Sequence, residues 1–107
     1  MRRQSVDLQQ AMSAAVAERL NVLRTLGFAE LAKLPDMSDE EVVIVNGKKL
    51  KFITWHDEVT PGQHRIVVGS YRPAYLGMVT YIEADGFVVN EKNEKRSLTA
   101  EELMPFK

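Results

Sequence analysis

The sequence predicts an α+β fold, in which one long N-terminal helix packs on one face of an antiparallel meander sheet of about five strands. Apolar residues recur at helical spacing in the N-terminal part of the chain, and the spacing changes to alternation from about residue 42. Asn46-Gly47 and Asp85-Gly86 each stand between β-branched residues, and such pairs supply the positive φ angles of a two-residue hairpin turn. A short C-terminal helical turn completes the expected fold.

The bulk composition limits the classes of protein that fit. The chain has 107 residues, a formal net charge of −1 and no cysteine. This length favours a single domain over residues 1–107, and the missing cysteines exclude disulfides, thiolate nucleophiles and cysteine-ligated zinc. The near-zero charge argues against a dedicated polyanion binder. No continuous apolar stretch follows Arg2 and Arg3, and no run is long enough to cross a bilayer, so we expect a cytoplasmic protein without membrane contact.

Helical structure is expected over residues 5–34. Ser5 is a candidate N-cap, and Gly27 is a candidate stop for the first helix. A second helical segment, residues 28–34, ends before Pro35. At about 100° per residue one face of the first helix collects the apolar residues Leu8, Met12, Ala15, Val22, Leu23 and Leu26, with Val16 and Leu20 at its flanks.

The sheet is expected over residues 42–92, and its first hairpin turns at Asn46-Gly47. A two-residue loop there places Val43 opposite Leu50. The face that those two residues share also receives Val45 and Phe52, whereas the opposite face receives Ile44, Lys49 and Lys51.

Four further features are expected downstream. Pro61-Gly62 predicts a turn between strands at 53–59 and 64–71. Asp85-Gly86 predicts a third hairpin, which pairs Ala84 with Phe87 and Ile82 with Val89. The charged residues 91–96 are expected to form a solvated loop. Thr99 and Glu102 form a capping box for a short helix at 99–104.

The first helix is expected to overhang the sheet. Twenty-two helical residues span ~33 Å, whereas strands of ordinary length span ~17–20 Å. Leu8 and Met12 are then not covered by the sheet, and we expect a protein partner or a second copy of the chain to cover them, unless residues 28–34 or 103–106 fold back over them. Arg19 falls inside the apolar stripe. Either its aliphatic stem packs there while its guanidinium reaches water, or it forms an ion pair with Asp57 or with Glu18 of a second copy.

A second candidate interface is the connector at residues 71–77. Tyr71, Arg72 and Tyr75 belong to the residue types that are enriched where proteins recognise one another, although closing the open end of the core is an equal alternative. A nucleic-acid face is the first alternative function, because Tyr81 flanked by Lys49, Lys51 and Arg65 resembles a stacking platform for single-stranded RNA.

A small-ligand or metal site is the second alternative, on His56, Asp57 and His64, which flank the Pro61-Gly62 turn. Ordinary polar strand-end residues are the competing interpretation. No phosphate-binding loop, zinc-protease motif or nucleophile elbow is present, and no cofactor is expected. The sequence therefore favours a non-enzymatic, self-associating protein-interaction module.

Overall fold

A computed structural model describes residues 2–45, 47–73 and 80–106, with side chains described for residues 8–44, 47–72 and 82–106. Within these residues the strands form one antiparallel sheet in the order β1-β2-β3-β4-β5, so each strand pairs with the next along the chain. The predicted α+β meander, with its long first helix and short last one, is confirmed. The elements are α1 (Arg2–Arg24), α2 (Phe28–Leu31), β1 (Glu41–Val45), β2 (Lys48–Thr60), β3 (Gln63–Pro73), β4 (Thr80–Asn90), β5 (Lys95–Ser97), α3 (Ala100–Leu103) and a 3₁₀ turn (Met104–Phe106).

The long helix α1 packs along one face of the sheet, here called the helix face. Its buried residues repeat at every fourth position, and they are Leu8, Met12, Val16 and Leu20. They meet a set of sheet residues on the helix face, namely Leu50, Phe52, Ile66, Val68, Phe87 and Val89. The main core therefore lies between α1 and the three central strands.

Parts of the helix prediction are wrong. The helix begins at Arg2, so Ser5 lies inside it, and it ends at Arg24, so Gly27 caps α2 instead. Val22 is 63 % exposed, because the buried stripe runs through Val16 and Leu20, which were expected at its flanks.

The expected overhang of α1 is also wrong, because the strands are about twice as long as assumed. Strand β2 has 13 residues and β3 has 11. At about 3.3 Å per residue they span ~36–43 Å, which matches the ~34 Å of a 23-residue helix. Leu8 and Met12 are therefore covered by the chain's own sheet.

The first two turns follow the prediction. Val43 pairs with Leu50, as expected for the first hairpin, and Gly47 has a φ of 76°. Asn46 itself lies outside the described residues. Thr60 pairs with Gln63 across the second turn, where Gly62 has a φ of 80°. Glycine suits both places because an L side chain rarely adopts a positive φ.

The third predicted hairpin does not exist. Asp85 and Gly86 lie in the middle of β4, which continues unbroken to Asn90, so Ala84 does not pair with Phe87 nor Ile82 with Val89. Gly86 is opposite Val67 in the register, and a Cβ there would collide with the carbonyl oxygen of Ile66. This glycine permits close approach of two strands rather than a turn.

The other face of the sheet, here called the outer face, is covered on the β4 side by the C-terminal segment. Leu98 and Leu103 pack there against Val67, Ala84 and Val88, with Trp55 and Phe106 at the margin. The predicted capping box is confirmed, since Thr99 accepts from the Glu102 amide and Glu102 accepts from the Thr99 amide. Residues 95–97, expected in a solvated loop, form β5 against β4. The sheet therefore extends past residue 92.

Candidate functional site

Strand β1 is an edge strand, and its outer edge pairs with no other strand among the described residues. Edge strands present free N–H and C=O groups, and natural proteins usually shorten them or protect them with charge, proline or bulges. At the opposite edge, β5 is protected in this way, because it has three residues and includes Lys95 and Arg96. Strand β1 has five residues, Glu-Val-Val-Ile-Val, and four of them are apolar.

No described residue covers the outer face beside β1. Val42 is 56 % exposed and Ile44 is 67 % exposed. Tyr71 lies half-buried on the same face, with the Nζ of Lys51 5.9 Å from the centre of its ring. The open backbone edge and this apolar strip together form one surface, which we call the β1 edge, defined by residues 41–45.

Charges of opposite sign flank the two ends of β1. Asp39 and Glu40 precede the strand, and Lys48 and Lys49 follow it. A groove of about 590 Å³ opens at the basic end, here called the basic groove. Its lining consists of Val42, Gly47, Lys48, Lys49, Lys51 and Arg72. Glu40 lies 3.7 Å from the Nζ of Lys51, which is the one ion pair described for these cations.

Arg19 fixes β1 to the long helix on the helix face. Its Nη2 donates to Oε1 of Glu41 at 2.7 Å, and its guanidinium lies 3.8 Å from the centre of the Phe52 ring. The predicted partner Asp57 is therefore wrong, because Arg19 pairs with Glu41 and Asp57 pairs with Arg65. The pairing with Glu18 of a second copy stays a prediction. Within the chain, Arg19 orders the edge strand.

The helix surface predicted to contact a partner is not available. Met12 is fully buried and Leu8 is 7 % exposed, since β3 and β4 cover α1. Of the connector residues, Arg72 lines the basic groove and Tyr71 lies beside Lys51. Tyr75 lies outside the described residues. The exposed apolar strip described above therefore lies at the sheet edge, whereas Leu8 and Met12 are buried.

The residues of the predicted RNA face do not form one surface. Lys49 and Lys51 lie at the β1 end of the sheet, and Arg65 is far along the sheet from them. Arg65 donates from Nε and Nη2 to the two carboxylate oxygens of Asp57, at 2.8 and 2.7 Å. Tyr81 pairs with Arg72 in the register, and its side chain lies outside the described residues. Only part of the expected basic stripe is therefore present, and it forms the basic groove.

The predicted metal site divides between the two faces. His56 and His64 meet on the helix face, with His56 Nε2 2.6 Å from His64 Nδ1. Asp57 is on the outer face, where Arg65 holds it. Across the part of the chain that is described, no three His, Asp or Glu side chains are arranged to hold a metal ion. The geometry therefore supports a histidine pair and not a metal centre.

Sequence reasoning missed the open edge itself, although the sequence contains the signal for it. Val42 and Ile44 are the outward residues of the first predicted hairpin, and opposite charges stand at either end of that strand. It also missed Glu58, whose Oε2 lies 3.4 Å from Nε2 of His64. Alternation along β2 places residues 56 and 58 on one face, which is the pattern that pointed to this contact.

Among the described residues, no helix is long and apolar enough to cross a membrane. No known family model matches the chain, and searches of characterised proteins and of solved structures found no similar protein.

Proposed function

We propose that this chain is a non-enzymatic protein-interaction module that pairs with a second copy of itself through the β1 edge. The observation that carries the proposal is the contrast between the two edges of the sheet. Strand β5 is short and charged, whereas β1 is apolar and no described strand pairs with its outer edge. An unprotected strand of this kind is a template for addition of another strand.

The strand is self-complementary when two copies run antiparallel. With Val43 on the two-fold axis, Val42 of each copy lies opposite Ile44 of the other, and the exposed apolar residues cover each other. The two residues that flank a two-residue hairpin loop form backbone hydrogen bonds with each other. Because bonded and unbonded positions alternate along the strand, the N–H and C=O groups of Val42 and Ile44 point away from β2, towards the open edge. The same two residues therefore supply both the side chains and the free backbone groups.

Charge favours the same arrangement. Antiparallel pairing brings Asp39 and Glu40 of one copy towards Lys48 and Lys49 of the other, at the mouth of the basic groove. Parallel pairing would bring like charges together, which costs free energy. The acidic flank of β1 is accordingly the proposed occupant of the basic groove in the second copy.

The size of the contact sets the expected affinity. A single five-residue strand with its adjoining side chains is smaller than a standard protein interface, which buries ~1,200–2,000 Å². We therefore expect association to depend on concentration in the micromolar range or above. Sedimentation velocity over a wide range of concentrations is the appropriate measurement.

Ile44→Glu is the most informative variant. Ile44 is opposite Lys49 on β2, so the new carboxylate gains an opposite charge within the chain while it places a charge in the proposed interface. The fold is then preserved and only association is lost. Val22→Glu is the matched control, because it also adds one carboxylate at an exposed valine, on α1 and away from the β1 edge.

Three sedimentation profiles decide the proposal. The sedimentation coefficients of wild type and Val22→Glu are expected to rise with concentration, while that of Ile44→Glu stays at the monomer value. The proposal fails if wild type remains monomeric throughout, or if Ile44→Glu associates as wild type does.

Single-stranded RNA is the competing occupant of the basic groove. Binding of a labelled single-stranded RNA that weakens steeply with salt, and that Lys49→Glu abolishes, would replace the proposal with that alternative. On the present proposal no such binding is expected at physiological salt.

A further inference from the structure

The basic groove takes its cations from two neighbouring strands. Lys49 and Lys51 are two residues apart on β2, so alternation places both on the outer face. Lys51 is opposite Tyr71 of β3 in the register, and Arg72, the next residue on that strand, also lines the groove. Lys48 adds a fourth positive charge beside the first turn. The pairing of β2 with β3 therefore brings four cations to one groove.

The shape of the basic groove suits a small ligand. Its volume of about 590 Å³ lies within the ~300–1,000 Å³ that is usual for small-molecule sites. A Cβ built on Gly47 would meet no atom within 4 Å, so the groove is open beside the turn. Lys51 and Arg72 are half-buried, whereas Lys48 and Lys49 are exposed. An anion in the groove therefore meets two cations that are held by the sheet and two that reach into water.

One carboxylate of the chain itself already lies near the groove. Oε2 of Glu40 is 3.7 Å from Nζ of Lys51, and the two side chains are 44 % and 37 % exposed. This distance is too long for a hydrogen bond, and ion pairs with such exposure contribute little. No ion pair to Lys48, Lys49 or Arg72 is found among the residues that the structure describes. The contact of Glu40 is therefore easily replaced by an anion of higher charge.

The types of cation in the groove favour phosphate. A guanidinium such as that of Arg72 binds two phosphate oxygens at once, and lysines add mobile point charges around them. A terminal phosphate carries about −1.5 to −2 at pH 7, whereas each nucleotide of an RNA strand adds about one negative charge. Four cations around one small groove thus match a compact anion with linked phosphates better than an extended strand.

We propose that the basic groove binds a small anion with two or three linked phosphates, and that this anion regulates pairing at the β1 edge by displacing the acidic flank of the second copy. The binding site stands on the groove alone. The regulatory part rests on the proposed function.

Regulation follows from competition for the same cations. In the proposed pair, Asp39 and Glu40 of the second copy occupy the groove, and linked phosphates in that place would exclude them. Binding of the anion therefore lowers the fraction of the chain that is paired. Because coupling between two ligands is reciprocal, pairing should weaken binding of the anion by the same factor.

The first test is isothermal titration calorimetry with inorganic triphosphate, in a dilute, magnesium-free sample at fixed ionic strength. We expect one triphosphate per chain. Lys51→Met keeps the apolar stem beside Tyr71 but removes the ammonium group, and it should weaken binding by about tenfold, as expected for loss of a charge-assisted contact. Arg72→Gln, on the other strand, should weaken binding at least as much.

Lys95→Met is the matched control for these variants. Lys95 is also a half-buried lysine on a strand, but it lies on β5 at the opposite edge of the sheet. Its substitution should leave the affinity for triphosphate as in wild type. No binding to wild type, or an equal loss in Lys95→Met and Lys51→Met, would overturn the site.

Two further ligands identify the source of the phosphates. Adenosine triphosphate that binds more tightly than inorganic triphosphate would indicate a nucleotide, and equal affinities would indicate a free oligophosphate. Adenosine, which has no phosphate, should not bind. Binding of adenosine as tight as that of adenosine triphosphate would overturn the assignment of the groove to phosphate.

The second test is sedimentation velocity of wild type at a concentration where it pairs. Saturating triphosphate should return the sedimentation coefficient to the monomer value, while sodium chloride at the same ionic strength should leave most of the chain paired. A pair that persists with triphosphate bound would overturn the regulation. A wild type that is monomeric without any anion would overturn the proposed pairing and its regulation together, and calorimetry would still decide the site.

Discussion

The guanidinium of Arg19 lies 3.8 Å from the centre of the Phe52 ring while its Nη2 donates to Glu41 at 2.7 Å. One side chain thus joins α1, the central strand β2 and the edge strand β1. The side chain keeps 26 % of its surface exposed, and an arginine that is mostly packed but still reaches water is tolerated beside an apolar stripe.

Arg19→Met should lower the free energy of unfolding by about 1 kcal/mol, because it keeps an apolar stem but removes the cation–π contact and a partly exposed ion pair. Glu41→Gln removes only the ion pair and should cost about half of that or less. Urea unfolding measures both. Equal losses in the two variants would show that the stacking on Phe52 contributes nothing.

Gly86→Ala should be strongly destabilising, because the new Cβ would overlap the Ile66 carbonyl and lie 3.0 Å from Cδ1 of Leu98. We expect a loss of about 2–3 kcal/mol, at the upper end for overpacking in a core. Gly27→Ala is the control, since the nearest atom to its Cβ lies at 3.6 Å, and it should cost at most about 1 kcal/mol. Similar midpoints for the two variants in urea would contradict this account.

Met12→Ala tests whether α1 belongs to the core or to an interface. Because Met12 is fully buried, truncation should cost about 2–5 kcal/mol. That loss should be the same at every protein concentration, measured by thermal unfolding at two widely separated concentrations. A loss that disappears on dilution would instead place Met12 in a contact between copies.

The hydrogen bonds of Glu102 lead us to expect that the free energy of unfolding falls with pH over a specific acidic range. Hydrogen bonds from Arg96 and from the Thr99 amide lower the pKa of Glu102 from 4.5 to about 2. A carboxyl whose pKa is lower in the folded state stabilises the fold above its unfolded pKa and loses that effect as the pH falls. The contribution of Glu102 to the free energy of unfolding should therefore disappear as the pH falls from about 4.5 to 2.

In Glu102→Gln the free energy of unfolding should change less with pH across that window than it does in wild type. Glu101→Gln is the neighbouring control, because no described hydrogen bond from Arg96 reaches it, and its pH profile should follow that of wild type. Identical profiles for all three chains would show that the capping contact is not maintained in solution.

Local patterns predicted the parts of the fold that depend on local chemistry. The Asn46-Gly47 turn set the register of β1 on β2, and the Thr99–Glu102 capping box set the start of α3. Asp85-Gly86 has the same local chemistry but lies in a strand, because Gly86 and the three residues after it are buried between the helix face and the C-terminal segment. Tertiary packing therefore determines whether this pair forms a turn or a strand, and a single sequence does not show which residues will pack there.

The candidate surface was only partly predictable for the same reason. Whether Leu8 and Met12 are exposed depends on strand length, and β2 and β3 are about twice as long as ordinary strands. His56 and His64 were expected near each other because a turn separates them. Asp57 was grouped with them although alternation along β2 sends successive residues to opposite faces.

The unlike edges of the sheet also limit how large an assembly can grow. In the pair proposed above, the joined sheet would end in a β5 strand on each side, and each of those strands has three residues and carries Lys95 and Arg96. Neither end offers a template for a third copy, so growth stops at a closed pair instead of continuing into a fibre.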